Sequence, residues 1–271
     1  MQGNGVDIAL NALLLNRTIK WMANGNFSYN TDKVTNYYLD DLQGSNFIGG
    51  LAVSGIVGKP VYAVFGYKWA GLDPANGSPR GYIDGKVSND YFALTGSATQ
   101  VKDLAYYGSA FPKWYGSVGN TVSYKNWSVT ARISYKLGYY FMKSSTNYSD
   151  LFSRGTSNAD FANRWQKPGD ELTTNVPAMI YPADYQSDAF YSSAAINILK
   201  GDHIRWQYIN LAYDFAKENY KKLPFQNIRL YINAADLGII WKANKAGIDP
   251  DYRNTTIPPS KSIAIGCRIS F

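Results

Sequence analysis

The last twelve residues, SKSIAIGCRISF, restrict the possible folds more than any other segment of the chain. Side chains of two kinds alternate along this segment, and alternating side chains point to opposite faces of an extended strand. One face carries the apolar residues Ile263, Ile265, Cys267, Ile269 and Phe271. The other carries Ser262, Ala264, Gly266, Arg268 and Ser270. The period of two predicts a β-strand with one apolar face.

An aromatic residue directly after such a strand resembles the C-terminal signature by which outer-membrane β-barrels are recognised for assembly. The resemblance implies an assembly signal that is read by the outer-membrane barrel assembly machinery. Its predicted residues are Ile263, Ile265, Ile269 and Phe271. The same strand also fits a soluble sheet, so the composition of the whole chain has to be considered.

The composition favours a transmembrane barrel, because rings are abundant and long apolar runs are absent. The chain contains 23 Tyr, 12 Phe and 7 Trp residues, and its mean hydropathy is only -0.29. Barrel strands alternate lipid-facing apolar residues with polar residues of the lumen, and Tyr and Trp form girdles at both interfaces. No segment approaches the roughly 18 consecutive apolar residues of a membrane-spanning helix. The sequence therefore predicts a protein that meets the lipid bilayer through strands.

Charge and cysteine content exclude other classes of protein. The 27 basic and 20 acidic residues give a formal net charge of +7, but the basic residues are scattered and form no compact patch. A nucleic-acid partner is not expected, because nucleic-acid binding needs a basic patch or stripe. Cys267 is the only cysteine, so no internal disulfide is expected.

Alternation of the same kind recurs along the chain and predicts about eight strands. The predicted segments are 6–14, 19–29, 61–72, 118–124, 127–137, 203–215, 228–235 and 260–271. Alternating strand directions further suggest a strand between 73 and 114, around 81–87 or 91–95. Within 203–215 the apolar residues change from even-numbered to odd-numbered positions, and this change predicts a β-bulge near Tyr208.

Short turns and long polar stretches connect these segments. Only Lys125 and Asn126 separate two of them, whereas the stretches 73–114, 138–200 and 237–259 are long and contain Gly and Pro. Periplasmic turns and extracellular loops of an outer-membrane barrel differ in length in this way. We predict an all-β fold of antiparallel, up-and-down transmembrane barrel strands with long extracellular loops. If Phe271 lies at the periplasm, the last strand runs inward.

Six segments, in order, resemble the SusC/RagA family of TonB-dependent outer-membrane transporters of the Bacteroidetes type. They lie at residues 58–79, 111–141, 163–177, 203–215, 228–252 and 260–271. With the first predicted hairpin, which begins at Val6, the resemblance covers nearly the whole chain. It implies membership of a barrel of about 22 strands.

The resemblance reaches only the last third or so of that barrel. Family members also have a signal sequence, a small N-terminal domain, a TonB-contacting segment and a plug, which have no counterpart in this chain. We therefore expect residues 1–271 to be the C-terminal part of a TonB-dependent receptor barrel domain. Met1 is then an internal start or a fragment boundary.

The implied function is the import of a glycan or peptide across the outer membrane of a Gram-negative cell. In the family, a SusD-like lipoprotein covers the barrel and TonB moves the plug. We expect the present chain alone to be a non-transporting fragment. Four loop aromatics, Tyr148, Trp165, Tyr181 and Tyr185, could stack on sugar rings, but packing of the loops or an interfacial girdle is the favoured interpretation.

No enzyme is expected, and no catalytic or cofactor-binding residue is predicted. His203 is the only histidine and lies beside Asp202, where a polar residue at a loop edge is the simple expectation. No G-x-S-x-G nucleophile motif occurs. Adjacent carboxylates occur at 40–41 and 170–171, but neighbours on an extended chain point apart.

No metal site is predicted either. Asp73 with Asn76, and Asp249 with Asp251, lie in turns where these residue types bond to the backbone. Neither pair offers the number of oxygen ligands that calcium needs.

The alternative function is a surface-exposed, soluble β-sandwich that serves binding or adhesion. Regular strands with turn-rich connections also fit that fold. The two hypotheses differ in what meets the apolar strand faces, which is a second sheet in a sandwich and lipid in a barrel.

Overall fold

A computed structural model describes residues 1–38, 43–220, 224–253 and 257–271. The chain divides into two compact units. The loop unit comprises Met1–Gly3, Asp32–Phe111 and Tyr139–Lys200, and the sheet unit comprises Asn4–Thr31, Pro112–Gly138 and Gly201–Phe271.

Strands are the main elements of the described chain. They are β1 (Gln2–Asn16), β2 (Ile19–Lys33), β3 (Ala63–Tyr67), β4 (Gly81–Ile83), β5 (Lys86–Ser88), β6 (Leu104–Ser109), β7 (Trp114–Tyr124), β8 (Trp127–Leu137), β9 (Tyr140–Met142), β10 (Ile198–Lys200), β11 (His203–Ala216), β12 (Asn227–Lys242) and β13 (Ser262–Ser270). The α-helices are α1 (Tyr91–Thr95), α2 (Tyr148–Arg154) and α3 (Tyr185–Ser192). Single 3-10 turns lie at Gly44–Phe47, Val101–Asp103, Ala159–Asn163, Asp170–Leu172, Ala195–Asn197 and Pro250–Tyr252.

Seven long strands form one sheet in the order β1-β2-β7-β8-β11-β12-β13. Strands that follow one another among these seven are neighbours, and the register is antiparallel across β2, β7, β8, β11, β12 and β13. The prediction of an all-β fold with an antiparallel, up-and-down strand order is confirmed.

Short and long connections alternate along the sheet. Arg17 and Thr18 join β1 to β2, and Lys125 and Asn126 join β7 to β8. The connections from β2 to β7, from β8 to β11 and from β12 to β13 are much longer. Because neighbouring strands are antiparallel, the two-residue turns lie at one end of the sheet, called the turn end, and the long connections start at the other, called the loop end.

The segment 61–72 is not a strand of this sheet, and that part of the prediction is wrong. Its central part forms β3, which pairs with β6 in a two-stranded sheet of the loop unit. All five residues of β3 are buried; Ala63, Phe65 and Tyr67 pack in a core with Phe47, Leu104 and Phe190, and Val64 packs on the other side with Ala110 and Ile198. A short strand buried on both faces shows the same β-forming residues as a long strand, so composition did not separate the two.

The strand expected between 73 and 114 does not join the large sheet either. Residues 81–88 form the small hairpin of β4 and β5, and residues 91–95 form α1. The strand of the large sheet that returns from this connection is β7, which begins at Trp114. The seven long strands already alternate in direction along the sheet, so the alternation requires no additional strand between 73 and 114.

The bulge expected near Tyr208 is confirmed. The register of β11 shifts between Trp206 and Tyr208 against both of its neighbours. On β12 the matching irregularity lies at Asp236 and Gly238, which have φ values of 54° and 103°. This irregularity interrupts the alternation, so the sequence predicted a loop from residue 237, although β12 continues to Lys242.

Within the described residues, no helix has the length and apolar character needed to cross a membrane.

Candidate functional surfaces

The register of the large sheet sorts its side chains into two chemically distinct faces. On the apolar face Val122 lies opposite Val129, and Ile232 lies opposite Ile265. On the polar face Thr121 lies opposite Thr130, and Ser117 lies opposite Ser134. Alternation along the single strand predicted the two faces of the last strand, and the register aligns them with the faces of the neighbouring strands.

The apolar face is exposed rather than packed against another layer of the chain. Ile263 and Ile265 on β13 are 75% and 81% exposed, and Val122, Val129, Leu211 and Ile232 are also exposed. A β-sandwich buries the apolar faces of its sheets against each other. A contiguous exposed apolar surface of this kind marks a contact with a partner or a membrane.

Aromatic side chains collect at both ends of the apolar face. At the loop end the ring of Trp114 lies 4.0 Å from that of Tyr29. At the turn end Trp127 lies 4.8 Å from Tyr213, beside Tyr124. Trp114 and Tyr124 lie ten residues apart on β7, which corresponds to about 33 Å along the strand.

Hydrogen bonds between side chains connect neighbouring strands on the polar face. Arg132 of β8 donates to Asn24 of β2 at 2.5 Å and to Ser117 of β7 at 2.9 Å. Nearer the turn end, Arg229 of β12 lies 3.4 Å from Asp214 of β11 and donates to Ser128 of β8. These bonds connect β2, β7 and β8, and likewise β8, β11 and β12, through polar side chains on one face of the sheet.

Two carboxylates of the β12–β13 connection bind three basic side chains at the loop end of the polar face. Asp249 accepts from Arg205 at 2.6 Å, and Asp251 accepts from Lys136 at 2.7 Å. Asp251 also lies 3.2 Å from the Nε2 atom of His203. We call these five residues the ionic cluster, and it ties the connection to β8 and β11.

Burial of Asp251 would raise the pKa of its carboxyl, but hydrogen bonds from His203 and Lys136 outweigh burial and hold the pKa well below its usual range. Asp251 is therefore an anion. The two carboxylates considered for calcium bind basic side chains instead, and the described residues contain no group of three or more potential metal ligands.

His203 is not the polar loop-edge residue that was expected, because only 1% of its surface is exposed. Its Nδ1 atom lies 2.9 Å from the carbonyl oxygen of Gly201, and its Nε2 atom faces Asp251. The adjacent Asp202 instead accepts from the backbone N–H of Gly138 at 2.6 Å. The histidine is a buried member of the ionic cluster, which its position in the sequence did not indicate.

The four loop aromatics separate into two pairs. Tyr148 and Trp165 are buried; the Tyr148 hydroxyl donates to the carbonyl of Pro177, and the Trp165 indole donates to Glu171. Tyr181 and Tyr185 are 80% and 74% exposed. Packing of the loops, the favoured interpretation, holds for the first pair, and the second pair is accessible.

The adjacent carboxylates of the loop unit bond to nearby donors. Asp170 accepts from the backbone N–H groups of Gln166 and Lys167, and Glu171 accepts from Gly169 as well as Trp165. Hydrogen bonds from the backbone and from Trp165 lower the pKa of Glu171. The other pair, Asp40 and Asp41, lies outside the described residues.

Three of the four residues of the predicted assembly signal share one side of β13, and Phe271 follows the end of the strand. Ile263, Ile265 and Ile269 lie on the apolar face opposite Ala234, Ile232 and Ile228. Phe271 is exposed, and its ring packs edge to face against Phe225 at 5.1 Å.

A cleft of about 600 Å³ lies within the loop unit. Its wall includes Lys143, the segments 162–166 and 173–176, Tyr191 of α3 and Asn197. Sequence reasoning did not single out this cleft, because its residues come from four separate parts of the 138–200 stretch and none forms a recognisable motif.

No protein-family model matches the chain, and no curated protein matches it. Its fold is similar to that of chains in the structure of the RagAB peptide transporter, with a TM-score of 0.67, 19% identity and coverage of 99% of this chain and 29% of that chain. Structures of the RagAB peptide importer in the "open-open" and "closed-closed" states match with a TM-score of 0.66 and 20% identity. They cover 99% of this chain, which spans 28% and 29% of their length. The similarity shows the fold of the chain, and it agrees with the resemblance to the SusC/RagA family at that level.

Proposed function

We propose that the sheet unit is part of the outer-membrane barrel of a SusC/RagA-type, TonB-dependent transporter that imports a glycan or peptide. The observation that carries this proposal is the exposed apolar face of the sheet, bordered by aromatic rings at both ends. A strand length of about 33 Å, tilted by about 40°, corresponds to a height of about 25 Å, which is the height of the apolar band of outer-membrane barrels.

The polar face supports the same proposal, because it would line the aqueous lumen. Arginines at 132, 205 and 229 lie on this face, and each is hydrogen-bonded there to a side chain of another strand or of the β12–β13 connection. The turn end would then lie at the periplasm. The long connections, including the cleft of the loop unit, would lie outside the cell.

We further propose that residues 1–271 are the C-terminal part of the barrel domain and do not transport alone. In the described sheet β1 and β13 are edge strands. Unpaired backbone groups cost several kcal/mol each in lipid, so both edges need partner strands. The share of the RagAB chains that this chain spans supports a larger barrel.

The proposed partners follow from the family. They are TonB, a SusD-like lipoprotein that covers the barrel, and the barrel assembly machinery, which would read Ile263, Ile265, Ile269 and Phe271. The RagAB structures are described as a peptide transporter and importer, which supports a peptide as the cargo, but the proposal includes glycans.

The single cysteine offers a direct test of the orientation of the sheet. Cys267 lies on the apolar face of β13, and Arg268 lies on the polar face. A fluorophore on Cys267 of chain folded into phosphatidylcholine vesicles should be strongly quenched by brominated acyl chains. The matched control carries Cys267→Ser with Arg268→Cys, and its fluorophore should be quenched little. Equal quenching at the two sites, or chain that stays in the aqueous phase, would contradict the proposal.

The aqueous outcome would favour the alternative function, a soluble β-sandwich for binding or adhesion. In that case a second sheet has to cover Ile263 and Ile265, which are exposed in the described chain. A thiol probe on Cys267 would then be shielded both from lipid and from water-soluble quenchers such as iodide.

A further inference from the structure

We infer that the polar face of the sheet unit carries a binding site for a phosphate group near its turn end. The site is a cavity of about 450 Å³, which is within the usual range for small-ligand sites. All of its lining residues belong to the sheet unit. The inference requires only the register of the sheet and the contacts of these side chains, so it goes beyond the proposed transport role and does not depend on it.

Three polar side chains form a row across neighbouring strands in this cavity. Lys20 of β2 lies opposite Ser123 of β7, and Ser123 lies opposite Ser128 of β8. Adjacent strands are about 4.8 Å apart, so the row spans about 10 Å from the first strand to the third. At its far end, the guanidinium of Arg229 donates to the Ser128 hydroxyl at 3.0 Å. A cation therefore lies at each end of the row, with two hydroxyls between them.

The charges that line the cavity are mostly positive. Arg229 lies 3.4 Å from Asp214, the single acidic residue in the described lining. Lys20 and Lys125 have no acidic partner in the described parts of the chain; the Lys125 ammonium lies 5.3 Å from the centroid of the Tyr124 ring. Three basic side chains and one carboxylate leave a net charge of +2. This charge complements a phosphate monoester, which carries about −1.5 to −2 at pH 7 because its second pKa is about 6.

Hydroxyl groups complete the lining and favour phosphate over a carboxylate. They belong to Thr18, Thr121, Ser123 and Ser128. A hydroxyl both accepts and donates, so Ser128 can accept from Arg229 and still donate to a ligand. A carboxylate has two oxygens and is satisfied by one guanidinium fork, whereas a phosphate monoester has three strong acceptor oxygens. Several donors on different strands therefore match the phosphate group better.

The position of the cavity favours a soluble phosphate over a lipid headgroup. The row lies on the polar face of the sheet. Val122 and Val129, which precede Ser123 and follow Ser128 along their strands, point to the opposite, apolar face. Lipid would meet that apolar face, so a ligand would reach the cavity from the aqueous side.

Calorimetric titration of the full chain in dodecyl maltoside micelles, at constant ionic strength and pH 7.5, tests the inference. The probes are inorganic phosphate, glycerol 3-phosphate and succinate, a dianion whose two charges lie on separate carboxylates. We expect each phosphate to bind about ten-fold more tightly than succinate, because its oxygens are concentrated on one group. Similar binding of all three anions would overturn the inference, since it would show attraction by positive charge without recognition of phosphate.

Lysine variants test whether the cavity is the site. Lys20→Gln should weaken phosphate binding about ten-fold and leave the thermal unfolding midpoint unchanged, because Lys20 has no acidic partner to lose. Lys20→Arg keeps the charge and should bind within about two-fold of the wild-type chain. The matched control is Lys261→Gln, which removes the same charge from an exposed position outside the cavity and should leave binding unchanged. Unchanged binding by Lys20→Gln, or an equal loss in Lys261→Gln, would overturn the inference.

The titration and the quenching experiment on Cys267 fail independently. Phosphate binding by a chain whose Cys267 probe is not quenched by lipid would leave the phosphate site standing and remove the membrane role. Quenching without selective phosphate binding would do the reverse.

Discussion

At the scale of single residues, the ionic cluster shows how a few charges fix a long connection. Asp251 is held by Lys136 and His203, and Asp249 by Arg205. The carboxylates lie in the β12–β13 connection, whereas the basic side chains lie on β8 and β11. Hydrogen bonds to charged groups each contribute about 1.5 to 3 kcal/mol. The connection should therefore be rigid as long as Asp251 is ionised.

We predict that Asp251→Asn loosens this connection. Losing the charge should reduce its local opening free energy by about 2 kcal/mol, so the amide hydrogens of 243–253 should exchange about 30 times faster. Hydrogen exchange followed by mass spectrometry measures this directly. Asp7→Asn, an exposed change on β1, should leave the exchange unaltered. Unchanged exchange in Asp251→Asn would show that the cluster does not hold the connection.

The lowered pKa of Asp251 also gives the sign of a pH dependence. A carboxyl with a lowered pKa in the folded state stabilises the fold above its ordinary pKa, about 3.9. The contribution is lost as pH falls toward the folded-state pKa. Acid should therefore release segment 243–253 below about pH 4, and the release should be smaller in Asp251→Asn, which does not titrate.

Also at the residue scale, neighbouring positions of β13 test the two faces of the sheet. Ile265→Arg would place a charge against lipid and should lower the free energy of unfolding from vesicles by about 2 to 4 kcal/mol. Ala264→Arg is the matched control on the polar face, opposite Asn233, and should cost little. Denaturant titration of vesicle-folded chain measures both values. Similar values for the two variants would contradict the assignment of the faces.

At the scale of elements, β11 and β12 show how an irregular strand keeps both faces consistent. Without the bulge between Trp206 and Tyr208, either the residues before it or those after it would lie on the wrong face. Because of the bulge, Arg205 and Asn210 share the polar face even though they lie five positions apart, an odd spacing that would put them on opposite faces of a regular strand. The change of the apolar residues from even to odd positions therefore marks a bulge within one continuous strand, β11.

The element β13 also carries the proposed assembly signal. Replacing Phe271 with Ala should reduce insertion into the outer membrane with no change in the amount of chain synthesised, whereas Phe271→Tyr should insert normally because the ring is kept. Heat-modifiable gel mobility and protease protection of intact cells measure insertion. Normal insertion of the Ala variant would refute a role of the ring in assembly.

At the scale of the whole molecule, the seven-stranded sheet has two edges, and a transporter needs a closed barrel. Closure of about eight strands on themselves would leave an interior filled by side chains, too narrow for an oligosaccharide. The function proposed for the chain is therefore that of a part, whose polar face completes a larger lumen.

We predict that cells making the chain alone import neither a fluorescein-labelled maltooligosaccharide nor a fluorescein-labelled oligoalanine peptide above an empty-vector control. The physical reason is that seven strands do not enclose a lumen wide enough for either cargo. Cells making a complete SusC-type transporter with its lipoprotein serve as the positive control. Uptake by the chain alone would show that it forms its own channel.

The sequence by itself determined the all-β class, the long hairpins, the bulge near Tyr208 and the two faces of each strand. All of these follow from side-chain alternation along a single strand. Only the tertiary structure placed β3 outside the large sheet, buried His203 beside Asp251 and assembled the cleft around Tyr191. These features depend on contacts between residues far apart in the sequence. Alternation along one strand has no information about which distant segment packs against it, and that choice depends on the complementarity of the folded surfaces.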